Sequence, residues 1–387
     1  MMILHRTMAM FLILLVILLS GCWDRREIEL IGMVVGIALD KAESSSENEI
    51  IMTQQFVNTT KGGKEETVKA YNNITGQGKS IFQIIRETSN RTDKSPYFMH
   101  LKVIVISDKL ASTLDLTDLT DLFLRDHEVR RTVQILFVPG NARKVLEMKS
   151  DKKGIPSIVL WGTTKNDYKT SEMPRLVTLG DLSENLTAKK SFLAQKLIPL
   201  REEVKLRGAA VISGKKKTCI GWLSADETSG INWILGTRHG SRGGIVKIVD
   251  ENSRKELVYE IDYIRSKIVP VVKRDRLSFR VSIDSEGYLG ENWTKESSFE
   301  QDFIHKVNQL TAKQIKHLVL KALNKTKDTY KVDVAGFAEQ LKIHNYNTWK
   351  QYKDDWDEKF SETKVDVDVK VSTRGFGTRG SKVTKIE

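Results

Sequence analysis

The amino terminus constrains this chain most, because it predicts where the rest of the chain folds. Residues 8–19 contain no polar side chain, and Arg6 gives the segment before them a basic character. The run has the length of a signal-peptide core and is too short to cross a bilayer of about 30 Å. It ends in Leu19-Ser20-Gly21-Cys22, where two small residues precede a cysteine. This order is typical of a bacterial lipoprotein signal peptide covering residues 1–21, whereas the alternative is a buried amino-terminal helix with a chance cysteine.

Cys22 is therefore the predicted lipidation site, carrying an S-diacylglyceryl group and an N-acyl chain. Its first partner is membrane lipid, and two or more acyl chains suffice for stable anchoring. We expect the mature chain at the outer face of the cytoplasmic membrane, with residues 22–30 as a tether. Export argues against nucleic acid as a partner. Cys219 would then be the one remaining thiol, because the sequence has two cysteines.

The composition limits the remaining possibilities. A chain of 387 residues, 40% of them hydrophobic, predicts two or three globular domains. Two cysteines exclude a disulfide scaffold and a cysteine-rich metal site. The net charge of +12 is compatible with an anionic membrane surface, with nucleic acid or simply with solubility.

Residues 31–200 predict an amino-terminal α/β region. Apolar alternation predicts a hairpin of strands over residues 31–39 and 50–57. A strand over residues 101–106 is apolar on both faces, which indicates a central position in a sheet. Further expected elements are helices over residues 80–90, 116–125 and 142–148 and a strand over residues 132–138. The pattern weakens over residues 151–200, which form either an irregular bridge or a small middle domain with a helix over residues 182–188.

Residues 205–373 predict a carboxy-terminal α/β region. Strands over residues 206–213 and 218–223 flank the turn Gly214-Lys215-Lys216-Lys217. Strand signals continue over residues 231–235, 245–249, 257–264, 269–273, 277–283 and 365–371. Helices are expected over residues 298–323 and around an aromatic stripe of Trp349, Tyr352, Trp356 and Phe360. Residues 374–387 are expected to form a flexible tail. The predicted fold class is α+β and multidomain, with mixed and antiparallel sheets packed with helices.

The motifs of common enzymes are missing from the sequence. We find no nucleophile elbow, no His-Glu-x-x-His, no phosphate-binding loop and no dinucleotide fingerprint. The seven histidines are scattered without metal-ligand spacing. We therefore expect no enzyme activity, no catalytic residues, no metal site and no cofactor.

A few residues remain as weak candidates for binding. The loop of residues 236–244 is compatible with an anion site formed by its amides and by Arg238 and Arg242, or with a plain connection between strands. Lys215, Lys216 and Lys217 are compatible with contacts to anionic headgroups, or with a solvated turn. The aromatic stripe fits a ligand groove or, more simply, the core. Asp366 and Asp368 alternate on a strand and are expected to face solvent.

Several segments together resemble one family, and they occur in the same order along almost the whole chain. The amino-terminal ones are Gly21-Cys22-Trp23-Asp24-Arg25-Arg26-Glu27-Ile28, Val34-Val35-Gly36-Ile37-Ala38-Leu39-Asp40, residues 100–107 and residues 123–130. The carboxy-terminal ones are residues 206–211, Gly221-Trp222-Leu223, Gly230-Ile231-Asn232-Trp233, Gly336-Phe337-Ala338, Trp349 and Trp356. This set is similar to the Ger(x)C family, the lipoprotein C subunits of nutrient germinant receptors in spore-forming bacteria.

The resemblance implies about three α/β domains in the mature chain. It also implies a complex with two integral-membrane subunits, one of them transporter-like, on the outer face of the spore's inner membrane. The function it implies is the germination response to nutrients, through assembly with those subunits. An extracytoplasmic solute-binding lipoprotein that captures the nutrient directly is the alternative. The family offers no catalytic residues to transfer, so Cys22 alone carries a defined chemical role.

Overall fold

The computed structural model describes residues 31–43, 49–58, 69–148, 154–201, 203–236, 243–274 and 276–376, with residues 5, 6, 8 and 10 near the amino terminus. Two β-sheets run through these residues, and helices pack against both sheets. The predicted α+β class with mixed sheets is thereby confirmed. Among the described residues, no helix has the length and apolar character needed to cross a membrane. Except for the four residues named above, the predicted signal peptide and tether lie outside the described residues.

The larger sheet contains nine strands within the described residues, in the order β3-β2-β1-β5-β6-β7-β8-β9, and β4 pairs with β1. Its strands are β1 (Ile31–Lys41), β2 (Ile50–Val57), β3 (Tyr71–Gly78), β4 (Ser95–Tyr97), β5 (Val103–Ser107), β6 (Gln134–Val138), β7 (Phe192–Pro199), β8 (Val204–Ser213) and β9 (Thr218–Leu223). Strands β1, β5, β6 and β7 are parallel neighbours, and the outer pairs are antiparallel. The predicted hairpin of the first two strands is confirmed.

Strand β5 shows why the centre of this sheet is parallel. All five of its residues are buried. Ile104 and Ile106 pack into the core on one face, and Val103 and Val105 pack into a separate core on the other face. A strand that is apolar on both faces needs cover on both sides, which the helices between parallel strands provide.

The helices of this half cover the two faces of the larger sheet. They are α1 (Ile81–Ser89), α2 (Asp108–Thr113), α3 (Leu116–Arg125), α4 (Ala142–Glu147), α5 (Pro156–Thr163), followed by a 3-10 turn (Thr164–Lys169), and α6 (Leu179–Thr187). The three helices predicted before residue 150 are present within a residue or so of their expected ends. Ser80 is the N-cap residue of α1, although its side chain makes no capping hydrogen bond.

The larger sheet continues across the predicted junction near residue 200. Strand β7 meets β6 at one register position, Phe137 with Lys196, but pairs with β8 along most of its length. The two faces of β7 and β8 point into different cores. Leu193 and Val211 pack into the core of the carboxy-terminal half, whereas Ala194 and Ala210 pack into the core under α1, α3 and α6.

The smaller sheet has the order β10-β11-β12-β13 within the described residues. Its strands are β10 (Ile245–Val249), β11 (Glu256–Lys273), β12 (Arg276–Asn292) and β13 (Lys364–Gly375). The helices of this half are α7 (Ala225–Leu235), α8 (Gln301–Leu323), α9 (Phe337–His344), α10 (Tyr346–Tyr352) and α11 (Trp356–Glu362), and a π-helical turn (Asn324–Thr329) extends α8. Strand β13 reaches Gly375, so the first residues of the predicted tail belong to the sheet. Residues 377–387 lie outside the described residues.

Three sequence-based expectations for this half are wrong. Residues 231–235 are the end of helix α7, whose Ser224 and Glu227 form a capping box at its start. The separate strands expected between residues 257 and 283 are two long strands, β11 and β12. The aromatic stripe spans two short helices, α10 and α11, because the chain leaves the helical path at Lys353–Asp355.

Candidate functional site

The carboxyl ends of the parallel strands form the edge at which open α/β sheets usually bind ligands. Asp40 lies at this edge on β1 and is buried. Its carboxylate accepts hydrogen bonds from the backbone N–H groups of Ala142 at 2.7 Å and Arg143 at 2.9 Å, at the start of α4. Burial raises the pKa of Asp40, although these bonds act in the opposite direction.

The carboxylate of Asp108, at the end of the neighbouring strand β5, also accepts backbone N–H groups. Its Oδ1 accepts the N–H groups of Lys109 at 2.8 Å and of Gly140 at 3.0 Å. Asn141 in turn accepts the N–H of Lys144. Backbone amides that could hold an anionic ligand at this edge are therefore bonded to the protein's own side chains.

The junction between the two halves is built from close polar contacts. The Tyr330 hydroxyl lies 3.0 Å from both the backbone nitrogen and the carbonyl oxygen of Trp222 on β9. Asn232 of α7 donates to the carbonyl oxygens of Ser171 at 2.7 Å and Met173 at 2.9 Å. These bonds connect the elements after residue 224 to the larger sheet and to the segment that precedes α6.

Asp333 is a buried carboxylate of the carboxy-terminal half that accepts four hydrogen bonds. Its Oδ1 accepts the N–H groups of Ala335 at 3.1 Å and Gly336 at 2.8 Å. Its Oδ2 accepts the N–H of Ala338 at 2.7 Å and the indole N–H of Trp356 at 3.1 Å. Burial raises the pKa of Asp333 against these bonds. The carboxylate thus joins the start of α9 to the start of α11.

A crevice of about 370 Å³ opens beside Asp333, between the turn before β7 and helices α9 to α11. Lysines of both halves and carboxylates of the carboxy-terminal half line it, namely Lys189, Lys190, Lys342, Lys353, Glu339, Asp354 and Asp357. Lys190 and Glu339 form an ion pair across it at 2.5 Å. Burial raises the pKa of Asp357, and the nearby Asp333 charge acts in the same direction.

The aromatic stripe divides between the core and this crevice. Trp356 and Phe360 are buried, and their rings stack at 5.9 Å. Tyr352 packs partly buried against the same core. Trp349 also packs against that core, and together with Trp356 it lines the crevice. The core interpretation is therefore confirmed for Trp356 and Phe360, whereas binding of a ligand beside Trp349 stays a prediction.

The predicted turn at Lys215, Lys216 and Lys217 is present between β8 and β9. Lys215 and Lys216 are exposed. The ammonium of Lys217 lies 3.5 Å from Asp115, and the backbone carbonyl of Lys217 accepts the N–H of Leu116. The turn is therefore attached to the start of α3.

Arg238 and Arg242 lie outside the described residues. The described residues on either side of their loop contact the segment of residues 168–175 and not the turn of residues 214–217. Gly236 accepts a hydrogen bond from Arg175, and the Gly243 N–H donates to the carbonyl of Tyr168 at 2.7 Å.

Asp366 and Asp368 lie on the exposed face of β13, as expected. Their register partners on β12 are Arg280 and Ser282, and Lys364 forms an ion pair with Asp366 at 2.8 Å. The two carboxylates belong to a surface of mixed charge and do not converge on a pocket.

Cys22 lies outside the described residues, whereas Cys219 is buried in the core beneath α1 and α3. Burial raises the pKa of the Cys219 thiol to about 11. No group of three or more His, Cys, Asp or Glu side chains is placed to hold a metal ion in the described part of the chain.

Sequence reasoning missed Asp333, Tyr330 and the pair Lys189-Lys190. Asp333 precedes Gly336-Phe337 at a spacing typical of a side chain that accepts amides at a helix start, so this signal was available. Tyr330 and the lysine pair gave no local signal. Their partners lie on elements that are distant in the sequence.

Family models match both halves of the chain. Residues 24–198 match the spore germination protein N-terminal domain, and residues 207–377 match the spore germination B3/GerAC-like C-terminal domain. The two matches meet near the turn between β7 and β8.

Full-length relatives agree with these matches. The chain is 37% identical to spore germination protein YndF of Bacillus subtilis strain 168, over 94% of this chain and 95% of that protein. Spore germination protein B3 of the same organism is 28% identical, over 96% of this chain and 97% of that protein. The crystal structure of the GerBC protein aligns with a TM-score of 0.60 at 24% identity, covering 88% of this chain and 97% of the GerBC chain, and so shares the fold. The chain belongs to the GerAC family of spore germination proteins and is a germinant receptor subunit of the C type.

Proposed function

We propose that this subunit is a lipoprotein held at the outer face of the spore's inner membrane through Cys22. In that position it supports the germination response to nutrients by assembling with two integral-membrane subunits, one of them transporter-like. The family match over both halves of the chain carries this proposal. The apolar run of residues 8–19 before Leu19-Ser20-Gly21-Cys22 supports the lipid anchor.

The role we propose is structural or signalling rather than catalytic. An acyl anchor raises the effective concentration of the subunit for partners in the same membrane. The carboxylates at the strand ends and in the carboxy-terminal half are bonded to the protein's own backbone N–H groups, as Asp40, Asp108 and Asp333 illustrate. These contacts support a role in which a rigid body presents its surfaces to partner subunits.

The anchor is tested with a pair of cysteine variants. Cys22→Ala removes the proposed lipidation site, whereas Cys219→Ala changes the buried thiol of the core. We expect Cys22→Ala to lower the amount of membrane-bound protein strongly and to weaken nutrient-triggered germination. Cys219→Ala should leave both unchanged. Normal membrane retention of the Cys22→Ala protein would contradict the anchor.

The germination role is tested by deleting the gene in its own spore-former. Germination is then followed across a panel of amino acids and sugars, with a non-nutrient trigger as the control. Loss of the response to one nutrient class, with the non-nutrient response intact, supports a receptor subunit and identifies its input. An unchanged response to every nutrient, also after deletion of sister receptors, would contradict it.

Direct capture of the nutrient is the second candidate, and the crevice beside Asp333 favours it. Lysines and carboxylates face one another there next to Trp349, a combination that suits a small zwitterion. Calorimetry of the purified chain with the nutrients from the genetic screen separates the two functions. Saturable binding that Lys342→Ala weakens, and that exposed Lys144→Ala leaves intact, would favour capture.

A further inference from the structure

Two lysine-bearing turns lie at one edge of the larger sheet, the edge at which its parallel strands begin. Residues 188–191 lead into the parallel strand β7. Strand β8 is antiparallel to β7, so β8 ends at this edge and β9 begins there. The turn with Lys215, Lys216 and Lys217 therefore lies beside Lys189 and Lys190. We call this side of the sheet the amino-terminal edge and these five residues the lysine ridge.

The two turns of the lysine ridge pack directly against each other. The N–H of Gly214 donates to the Ser191 hydroxyl at 3.1 Å. A Cβ atom on Gly214 would lie only 2.3 Å from the carbonyl carbon of Lys189, so glycine is needed for this approach. Lys189 and Lys217 both have positive φ angles, 53° and 55°. The positions of these lysine backbones are thereby fixed by the fold.

Three lysines of the lysine ridge form no ion pair among the described residues. Lys190 is paired with Glu339, and Lys217 with Asp115. Lys189, Lys215 and Lys216 are exposed and form no ion pair with a described residue. Arg130 and Arg131, also exposed, precede β6 on the same edge. Acidic side chains are also present nearby. Glu339, Asp354 and Asp357 line the crevice together with Lys189, Lys190, Lys342 and Lys353, and the charge of Lys215 acts to lower the pKa of Asp357. Basic residues still outnumber these carboxylates at this edge.

The chain enters the body at this same edge. Strand β1 is parallel to β5, so its first residue, Ile31, lies on the side at which β5, β6 and β7 begin. Ile31 lies nine positions after Cys22, with eight residues between them, and an extended segment of that length reaches at most about 30 Å. A lipid on Cys22 would thus keep the lysine ridge close to the membrane surface. This step rests on the proposed lipid anchor.

We propose that the lysine ridge contacts anionic lipid headgroups. The amino-terminal edge of the larger sheet then faces the membrane surface in the anchored subunit. Each lysine near an anionic surface strengthens binding roughly fivefold, and salt screens the effect. The contact fixes the orientation of the anchored body relative to the membrane. Its opposite edge, with Asp40, Asp108 and Lys144, then faces away from the bilayer.

Amine acetylation of the full chain, purified with its lipid, tests this orientation. The protein is reconstituted into vesicles of phosphatidylcholine alone and into an equimolar mixture with phosphatidylglycerol, and acetylation of each lysine is followed by mass spectrometry. We expect Lys189, Lys215 and Lys216 to react at least several-fold more slowly on the anionic vesicles. High salt should restore their rates, and exposed Lys144 should react equally on both. Equal rates for the ridge lysines on both vesicles would overturn the proposal.

A charge-reversal pair gives a second measurement. In the Cys22→Ala protein, which lacks the proposed lipid, Lys189→Glu/Lys215→Glu/Lys216→Glu should abolish the preference for anionic vesicles in sedimentation and flotation. The matched variant Lys109→Glu/Lys144→Glu, at the opposite edge, should keep it. A preference that survives in the ridge variant would contradict the assignment. Protection of the ridge in native spore membranes but not on anionic vesicles would assign it to a protein partner and overturn the lipid contact.

The same vesicle binding, measured on the chain purified with its lipid, separates the ridge from the anchor. Binding to anionic but not to neutral vesicles would support the lipid contact of the lysine ridge and contradict the lipid anchor. Equal binding to both kinds of vesicle, with equal acetylation, would support the anchor and overturn the lipid contact of the ridge. Protein that binds neither would overturn both.

Discussion

The Tyr330 hydroxyl accepts the backbone N–H of Trp222 and donates to the carbonyl oxygen of the same residue, each at 3.0 Å. One phenol thus satisfies both backbone groups of a residue on the last strand of the larger sheet. Tyr330 directly follows the π-helical turn that extends α8. Its ring packs so closely on β9 that a Cβ on Gly221 would lie 2.4 Å from the hydroxyl oxygen. This contact couples the two halves of the chain.

Tyr330→Phe should therefore destabilise the protein. The ring remains, but the N–H and C=O groups of Trp222 lose their shared partner, and an unsatisfied part-buried group costs about 1–3 kcal/mol. We expect urea unfolding to show a loss in that range. Tyr346→Phe is the control, since Tyr346 is 55% exposed. Equal effects of the two variants would contradict the coupling.

Replacing two helical glycines, Gly230 and Gly162, by alanine should change the stability of the protein in opposite directions. A Cβ on Gly230 of α7 would lie 2.2 Å from the Leu318 carbonyl oxygen of α8, so Gly230→Ala must separate two packed helices. Gly162 of α5 has nothing within 4 Å of an added Cβ. We expect Gly230→Ala to destabilise by several kcal/mol and Gly162→Ala to stabilise by about 0.5–1 kcal/mol. Thermal unfolding of the two variants measures both signs.

Local sequence signals predicted those elements whose apolar pattern matches their burial. The strands around Ile37 and Ile104 are buried on both faces, and their apolar runs showed this directly. The turn at Lys215 follows from Gly214 and the alternation on either side. In each case the residues that determine the structure are close together in the sequence.

The missed features depend on distant partners. Strand β3 contains Asn72, Asn73 and two glycines, so its composition argues against a strand; it forms because β2 offers a free edge. The aromatic spacing from Trp349 to Phe360 fits one helix, but Asp333 holds the Trp356 indole at the start of a second helix. The crevice and the lysine ridge arise where segments more than 20 residues apart in the sequence meet, as Lys190 and Gly214 do. Periodicity carries no information about such contacts.

Asp333→Asn should destabilise the packing of α9 against α11, even though the side chain keeps its shape. Four N–H groups point at the two carboxylate oxygens, and an asparagine amide can accept through only one of them. Its NH₂ group would face donors, so we expect a loss of about 2–4 kcal/mol in urea unfolding. Indole N–H exchange of Trp356 should quicken in the same variant. Asp366→Asn, on the exposed face of β13, should change neither quantity.

Thiol counting should report lipidation of Cys22. The sequence has two cysteines, and a thioether-linked lipid blocks one of them. Protein extracted from membranes and denatured should therefore show one reactive thiol, belonging to Cys219. The native protein should react slowly, since burial raises the pKa of that thiol to about 11 and restricts access. Two reactive thiols in the denatured membrane protein would contradict lipidation.

Asp250 should make part of the stability depend on acidic pH. It lies between β10 and β11, and its carboxylate forms an ion pair with Lys306 of α8 at 2.7 Å and accepts the Ser253 hydroxyl at 2.6 Å. Burial acts to raise its pKa, but these contacts outweigh burial and lower the pKa to about 2, from an ordinary value of 3.8. Between these values the unfolded chain binds more protons than the folded chain, so the stabilisation is present above pH 4 and is lost as the pH falls towards 2.

Asp250→Asn should remove this dependence. At neutral pH we expect the variant to be less stable than the wild type by about 2–3 kcal/mol, which is the linkage value for a shift of this size. Because Asn does not titrate, the difference between the two proteins should shrink as the pH falls from about 4 to about 2. Urea unfolding of both proteins across this range measures it. Asp284→Asn, on the exposed face of β12, should give a curve parallel to the wild type, and a constant difference for Asp250→Asn down to the lowest pH would show that the ion pair with Lys306 does not hold the carboxylate ionised.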